Sequence, residues 1–336
     1  MTERTMRAAW YEEKGKAREV IKFGVLPIPK PSEGEVLVKV HVSGVNPSDT
    51  KTRGGWGGSF SMPFPKIVPH NDGAGIIEAV GEGVDSQRIG ERVWLYETQE
   101  GRAFGSAAEY TVVPSHQAIE LPENASFAQG ACLGVPAMTA HRAVFADGSV
   151  KGKTLLVTGG AGAVGNYAIQ LAKWGGATVF TTVSRPEQAK VAQAAGADEI
   201  INYKTEDVVA RIKEITGEER SVDRVIDVNF KANSAVVSAV IRPNSTIVCY
   251  ASPNSDDRPA LPFFNLLFIN TTLRLILVYT MPETAKQQAA QDIVKALSTG
   301  ALKENIARCF SLEELVEAHE IQDSGELIGQ AIIKII

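Results

Sequence analysis

The chain has little cysteine, no basic run and no long uninterrupted apolar stretch, and each shortage removes a class of function. Three cysteines, Cys132, Cys249 and Cys309, lie far apart among 336 residues. They form no zinc-type spacing and no disulfide framework, which fits a reducing cytoplasm. The formal net charge is −5 and Lys and Arg are scattered, an expectation against nucleic-acid or anionic-membrane partners. The most apolar stretch, 263–279, is interrupted by Asn265, Asn270 and Arg274. It is shorter than the roughly 20 residues of a bilayer span and reads as buried or interfacial. The opening MTERTMRAAWYEEKGK lacks the apolar centre of a signal peptide. No internal repeat or low-complexity segment is visible.

A further absence is local. Between Lys153 and Pro186 there is no Asp or Glu. This stretch contains TLLVTGGAGAVGNYAIQLAKWGG, Thr154 to Gly176, which reads as strand, tight turn and helix. Gly159, Gly162 and Gly165 place small residues at the turn, at the point of closest ligand approach and in the first helical turn. The N-terminus of such a helix offers unpaired N–H groups and a positive dipole to a pyrophosphate. A glycine triplet also serves plain strand-to-helix packing, so context decides. A second strand follows at once, 178–183, and runs into Ser184 and Arg185 instead of the acidic residue that holds the ribose of NAD. A hydroxyl and a guanidinium suit a 2′-phosphate, through charge-assisted bonds worth roughly 1.5–3 kcal/mol, so NADPH is expected over NADH. The alternative for Arg185 is a solvated loop residue.

The composition, 44% apolar and 22% charged, is that of a globular protein long enough for two domains. From Met6 to about Gln117 short apolar runs alternate with turn residues, with clear strands at 35–43, 75–80, 92–96 and 108–113, a compact β-rich domain. Residues 121–152 read as helices. From Thr154 onward β and α alternate, with helices expected at 186–195, 206–216 and 232–241 and strands at 199–203, 222–227 and 246–250. This is an α/β doubly wound parallel sheet, with its ligand crevice at the C-terminal strand ends. Thr280 to Glu283 and Ser311 to Glu314 have capping-box spacing, opening helices expected to end at Gly300 and near His319. A last strand, 331–336, is expected to return to the β-rich domain.

The order of these parts resembles the medium-chain dehydrogenase/reductase superfamily, and within it the zeta-crystallin-like quinone oxidoreductases. The resemblance spans nearly the whole chain. It is carried by GVNPSDTKTRGG (44–55), DGAGIIEAVGEGV (72–84), IGERVW (89–94), SAAEY (106–110), VPAMTAHRAV (135–144), the glycine turn and GADEIINY (196–203). It implies a Rossmann sheet inserted in a GroES-like β-rich catalytic domain, with boundaries at 1–130, 131–272 and 273–336.

The zinc-dependent branch of that superfamily takes its catalytic ligands from GxCxxD, GHExxG and a later Cys. At the matching places stand Asn46, Asn71 and Val135, none an ordinary zinc ligand, and no cysteine precedes Cys132. No metal is therefore expected, and His70 reads as structural. The resemblance implies a zinc-independent NADPH-dependent quinone reductase. Alternatives are a 2-alkenal or enone reductase on the same scaffold, and a non-catalytic NADPH-binding structural or RNA-binding protein. The implied roles are Asn46 near the nicotinamide, Thr139 on its half of the coenzyme, Gly162, Ala163 and Val164 on the pyrophosphate, and Ser184 and Tyr203 on the adenosine phosphate. Asn46 can equally brace the turn before Pro47. Two positions depart from the family pattern: Lys51 stands where a tyrosine is common, and Gln188 where a lysine is common. Trp56 and Phe60 are candidates for a stacking wall, or for loop anchors. The 263–279 segment is implied to join two copies in a homodimer.

Overall fold

The structure, a computed structural model, describes residues 4–336. The chain forms two compact units, one made of the residues up to Val135 with Ile306–Ile336, the other of Pro136–Asn305. The return crossing lies at 305/306 instead of 272/273, because the intervening strand and long helix belong to the second unit.

The first unit is built on strands β1 (Thr5–Trp10), β2 (Lys22–Pro27), β3 (Glu35–Val45), β4 (Asp72–Val80), β5 (Arg92–Leu95), β6 (Tyr110–Pro114) and β7 (Ala118–Glu120). β1 and β2 form an antiparallel pair that the sequence reading did not resolve. β3 is the centre of the larger sheet and is apolar on both faces. Val36 and Val38 join a fully buried cluster with Ile77, Val93 and Leu95, while Leu37 and Val40 join another with Met6, Ala331 and Ile333. Each such side chain contributes about 1.5–3 kcal/mol by leaving water.

The second unit holds β8 (Thr154–Thr158), β9 (Thr178–Val183), β10 (Glu199–Asn202), β11 (Val222–Asp227), β12 (Ile241–Cys249) and β13 (Thr272–Leu275). Among the described residues they form one sheet in the order β10-β9-β8-β11-β12-β13, every neighbouring pair parallel. Leu155, Leu156 and Val157 are wholly buried, as a parallel strand covered on both faces requires. The strand order reverses beside β8, which places the crevice at the C-terminal ends of β8 and β11.

The chain closes with β14 (Ile306–Ser311) and β15 (Gln330–Lys334), and β15 pairs with β14 and antiparallel to β3. The last strand thus returns to the β-rich unit as expected. Two local expectations are corrected. Thr280 does not cap the helix Glu283–Ser298: Pro282 stands at the cap, and the Thr280 hydroxyl donates to the Leu277 carbonyl within a preceding 3-10 turn. Ser311 and Glu314 do form a reciprocal capping box, but the helix that follows, Leu315–Ser324, runs past His319 to Gly325, whose φ of 69° ends it. The 263–279 segment is a short helix (Phe263–Phe268), the edge strand β13 and a 3-10 turn. Among the described residues no helix is long and apolar enough to cross a membrane.

Candidate active site

In the second unit, β8 ends in a turn that only glycine can make. Gly159 has φ 69°, and a Cβ on Gly160 would stand 2.1 Å from Thr181 Oγ1. A Cβ on Gly165 would lie 2.4 Å from the Gly159 carbonyl oxygen, so helix and turn touch backbone to backbone. The helix Ala163–Trp174 begins at Gly162, which provides no side-chain cap, and its first turn carries no acidic residue. The N–H groups of Ala163, Val164 and Gly165 are therefore left for an outside acceptor at the positive end of the dipole. A backbone cradle of this kind fits a pyrophosphate.

Next to this turn, β9 ends at Val183 and runs into Ser184 and Arg185, and β10 leads to Tyr203, whose N–H donates to the Val183 carbonyl at 3.1 Å. Ser184, Arg185 and Tyr203 are thus brought together at adjacent strand ends, with Arg185 and Tyr203 exposed. Gln188 has a local role: its Oε1 accepts from both the N–H and the hydroxyl of Ser184, each at 2.9 Å. Lys204 places its Nζ 5.6 Å from the Tyr203 ring centroid, a second cation at this corner. Thr139 is buried on the helix Gly134–Phe145. The sequence reading passed over Asp227, at the end of β11. It is fully buried and accepts from Thr158 Oγ1 at 2.9 Å, Asn233 Nδ2 at 2.7 Å and the Asn229 N–H at 3.0 Å. It ties the ends of β11 and β8 together, and its position at a strand end was the available signal.

In the first unit, Asn46 is the cap of the helix Pro47–Gly54 and forms a reciprocal capping box with Asp49. The Asp49 carboxylate accepts from the Asn46 N–H at 2.8 Å and from Asn71 Nδ2 at 3.2 Å. Asn46 Nδ2 donates to Asp72 Oδ2 at 2.8 Å, and the Val135 N–H is 2.9 Å from both oxygens of Asp72. All three positions that match zinc ligands in the resemblance thus direct hydrogens, not lone pairs, at carboxylates. Among the described residues, no three His, Cys, Asp or Glu are grouped to hold a metal ion. Lys51 stands on the same helix with its Nζ 4.0 Å from the centroid of the Trp56 ring, and burial lowers the pKa of its ammonium. Trp56 and Phe60 are both exposed, and the Phe60 ring lies against Gly55, where a Cβ would be 2.7 Å away.

His70 is more constrained than the sequence suggests. It adopts φ 82°, is wholly buried and stacks on His319. Arg53 Nε can only donate, so its 3.2 Å bond to His319 Nδ1 places the His319 proton on Nε2. That proton points at His70 Nε2, 2.9 Å away, and His70 Nδ1 then donates to Ser43 Oγ at 2.7 Å. Ser43 meets Ser106, which donates to the Asp72 carbonyl. Every hydrogen in the series points from Arg53 towards Asp72. Burial holds His70 neutral, its pKa pushed down to about 3, and lowers that of His319 well below the usual range.

Burial raises the Asp49 carboxyl to about 7, and the bonds from Asn46 and Asn71 offset only part of this. A folded pKa above the unfolded value of about 3.9 gives stability that is complete below that pH and lost as pH rises to about 7. Thermal melts of Asp49→Asn and wild type are expected to diverge across this window, with the variant showing the flatter decline. Parallel curves would remove Asp49 as the cause.

Comparison with known proteins shows the family. Residues 163–295 match the zinc-binding dehydrogenase family model, and residues 32–123 match the alcohol dehydrogenase GroES-like domain. The chain is 31% identical over 329 residues to a human quinone oxidoreductase, covering 96% of both. It is 30% identical over 320 residues to a zinc-type alcohol dehydrogenase-like protein of Staphylococcus aureus (strain COL), covering 91% of this chain and 92% of the relative. The solved structure of mycobacterial Rv1454c complexed with NADPH is similar at a TM-score of 0.83 and 25% identity, covering 98% of this chain and all of that one. A doubly wound sheet inserted in a GroES-like unit, together with these full-length likenesses, makes this chain a member of the medium-chain dehydrogenase/reductase superfamily, in its quinone oxidoreductase-like family, and an oxidoreductase.

Proposed function

We propose that the protein is a zinc-independent NADPH:quinone oxidoreductase. The observation that supports the coenzyme most is the glycine cradle before an uncapped helix, with Ser184, Arg185 and Tyr203 at the neighbouring strand ends. The names of a quinone oxidoreductase relative and of an NADPH complex among the structural neighbours point the same way. Bound coenzyme supplies a hydride from the nicotinamide C4. The chain's own groups bind and orient. Ala163, Val164 and Gly165 give N–H groups to the pyrophosphate, Thr139 meets the nicotinamide half, and Arg185, Tyr203 and the Ser184 hydroxyl take the 2′-phosphate. Asn46 gives an N–H to the acceptor oxygen as it becomes anionic, and the Lys51 ammonium offsets that charge. A quinone is electrophilic without a Lewis acid, and a proton from solvent completes the hydroquinone. Cys132, Cys249 and Cys309 are free thiols, which suits a cytoplasmic location.

The deciding experiment follows NADPH oxidation with 9,10-phenanthrenequinone, 1,4-benzoquinone, a short enone and an aldehyde, with and without a chelator. Quinone turnover insensitive to the chelator is expected. Turnover of the enone alone would make the protein an enone reductase, and loss of rate on chelation would overturn zinc independence. For coenzyme choice, Arg185→Glu is expected to raise KM for NADPH about tenfold or more while sparing NADH. An equal change for both would reject this phosphate site.

The protein is also proposed to act as a homodimer. β13 ends its sheet, and Phe263, Phe264, Leu267, Phe268, Leu275 and Leu277 beside or on it are exposed. An unpaired edge flanked by apolar side chains is an aggregation hazard, and a second copy would cover it.

A further inference from the structure

We infer that Gln188 is a specificity-determining residue: its side-chain oxygen fills the place that a phosphate oxygen of the coenzyme would take against Ser184. A coenzyme with a 2′-phosphate displaces it, and one without leaves it where it is. The identity of the phosphate rests on the NADPH reading proposed above.

Two donors converge on one atom. The Ser184 N–H and the Ser184 hydroxyl both donate to Gln188 Oε1, each at 2.9 Å. A main-chain N–H can only donate, so the end of the carboxamide that faces it is the oxygen. That oxygen has two lone pairs, and Ser184 takes both. Because the backbone fixes the direction of the N–H, an outside oxygen that is to receive it must stand where Oε1 stands. Ser184 and Gln188 are only half-buried, so the displaced carboxamide can turn into water.

A brace for the helix Pro186–Ala194 would look different. A glutamine at the third position of a helix ordinarily accepts from the N–H of the cap residue. Here the cap residue is Arg185, and Gln188 reaches past it to both donors of Ser184. The surroundings suit an anion better than a neutral amide. Arg185 and Lys204 are exposed, and among the described residues neither is in an ion pair. Lys204 follows Tyr203, whose N–H is bonded to the Val183 carbonyl just before Ser184. Two cations thus flank two donors that a neutral oxygen occupies. A phosphate accepts charge-assisted bonds about twice as strong as those to a neutral oxygen, so it displaces the carboxamide. A ribose hydroxyl is neutral and has no such advantage.

The test uses Gln188→Ala and Gln188→Glu, with calorimetric titration of NADPH, NADH, 2′,5′-ADP and 5′-AMP and a melting temperature for each variant. Alanine removes the competing oxygen, so affinity for NADPH and 2′,5′-ADP is expected to rise about tenfold, the scale of one or two net hydrogen bonds, with NADH and 5′-AMP unchanged. Glutamate sets a charged oxygen in the same place, which Ser184 holds more tightly and which repels a phosphate. Affinity for NADPH and 2′,5′-ADP is then expected to fall about tenfold or more, again with NADH and 5′-AMP unchanged. Opposite shifts at one position, confined to ligands with a 2′-phosphate, are not what a loosened helix entry produces, since that moves all four ligands together. Should either variant fail to fold, the other still carries its own sign.

Unchanged or weaker NADPH and 2′,5′-ADP binding in Gln188→Ala, or a shift shared by NADH and 5′-AMP, would overturn the role of Gln188 and leave the coenzyme reading in place. A wild type that binds neither NADPH nor NADH would overturn the coenzyme reading instead. In that event 2′,5′-ADP still decides: a gain over 5′-AMP in Gln188→Ala upholds displacement at Ser184, and no gain overturns it.

Discussion

Gly165→Val is expected to eliminate NADPH binding and to unfold the glycine turn, whereas Gly162→Ala should weaken the coenzyme with the fold intact. The two positions differ in what a side chain would meet. At Gly165 a Cβ would stand 2.4 Å from the Gly159 oxygen, 3.0 Å from its carbonyl carbon and 3.1 Å from the Gly160 Cα, all main-chain atoms that cannot swing aside. At Gly162 the nearest atom is 3.4 Å away and φ is −75°, so alanine fits the protein without strain. What alanine takes from Gly162 is the close approach of a ligand to the helix end, and a loss of about tenfold or more in NADPH affinity at unchanged melting temperature is the expected signature. Fluorescence titration and thermal melts on the two variants check this. Full NADPH affinity in Gly162→Ala would detach the coenzyme from this cradle.

The second large effect concerns assembly. Leu275→Lys combined with Phe268→Lys is expected to convert a dimer into a monomer of half the mass in sedimentation equilibrium, at protein concentrations where wild type is fully associated. Phe268 is 81% and Leu275 75% exposed, so neither holds its own unit together and the fold should survive. The lysine at 275 sits on the edge strand and the one at 268 on the helix beside it; together they add charge repulsion between copies, the means natural edge strands use against association. A dimer that persists in the double variant would show that the contact lies elsewhere.

Much of the second unit was readable in the chain because its signals are local. The apolar run of β8 and the spacing of Gly159, Gly162 and Gly165 fix strand, turn and helix within about twenty residues, and the alternation after Thr178 gives the parallel sheet. The capping residues show the limit of such signals. Thr280 and Glu283 have the right spacing, yet Pro282 stands at the cap and the Thr280 hydroxyl is used within the preceding turn, donating to the Leu277 carbonyl. Ser311 and Glu314 have the same spacing and do form the box, with a helix that continues past His319 until Gly325, in the left-handed conformation, ends it.

The polar cluster of the first unit was largely hidden. Asn46 and Asp49 are close in sequence, but Asp72 is 26 residues from Asn46, and His319 is 249 from His70. No periodicity reports such pairings. By itself the sequence determined the two-part architecture, the return of the last strand and the glycine turn between β8 and its helix, because each depends on backbone geometry and apolar spacing between near neighbours. Only the tertiary structure decided which end of the Asn46 amide faces Asp72, which tautomers the buried histidines hold, and that β13 is an edge. Those depend on which donors and acceptors are brought within bonding distance once distant strands have packed, away from water that would otherwise have satisfied them.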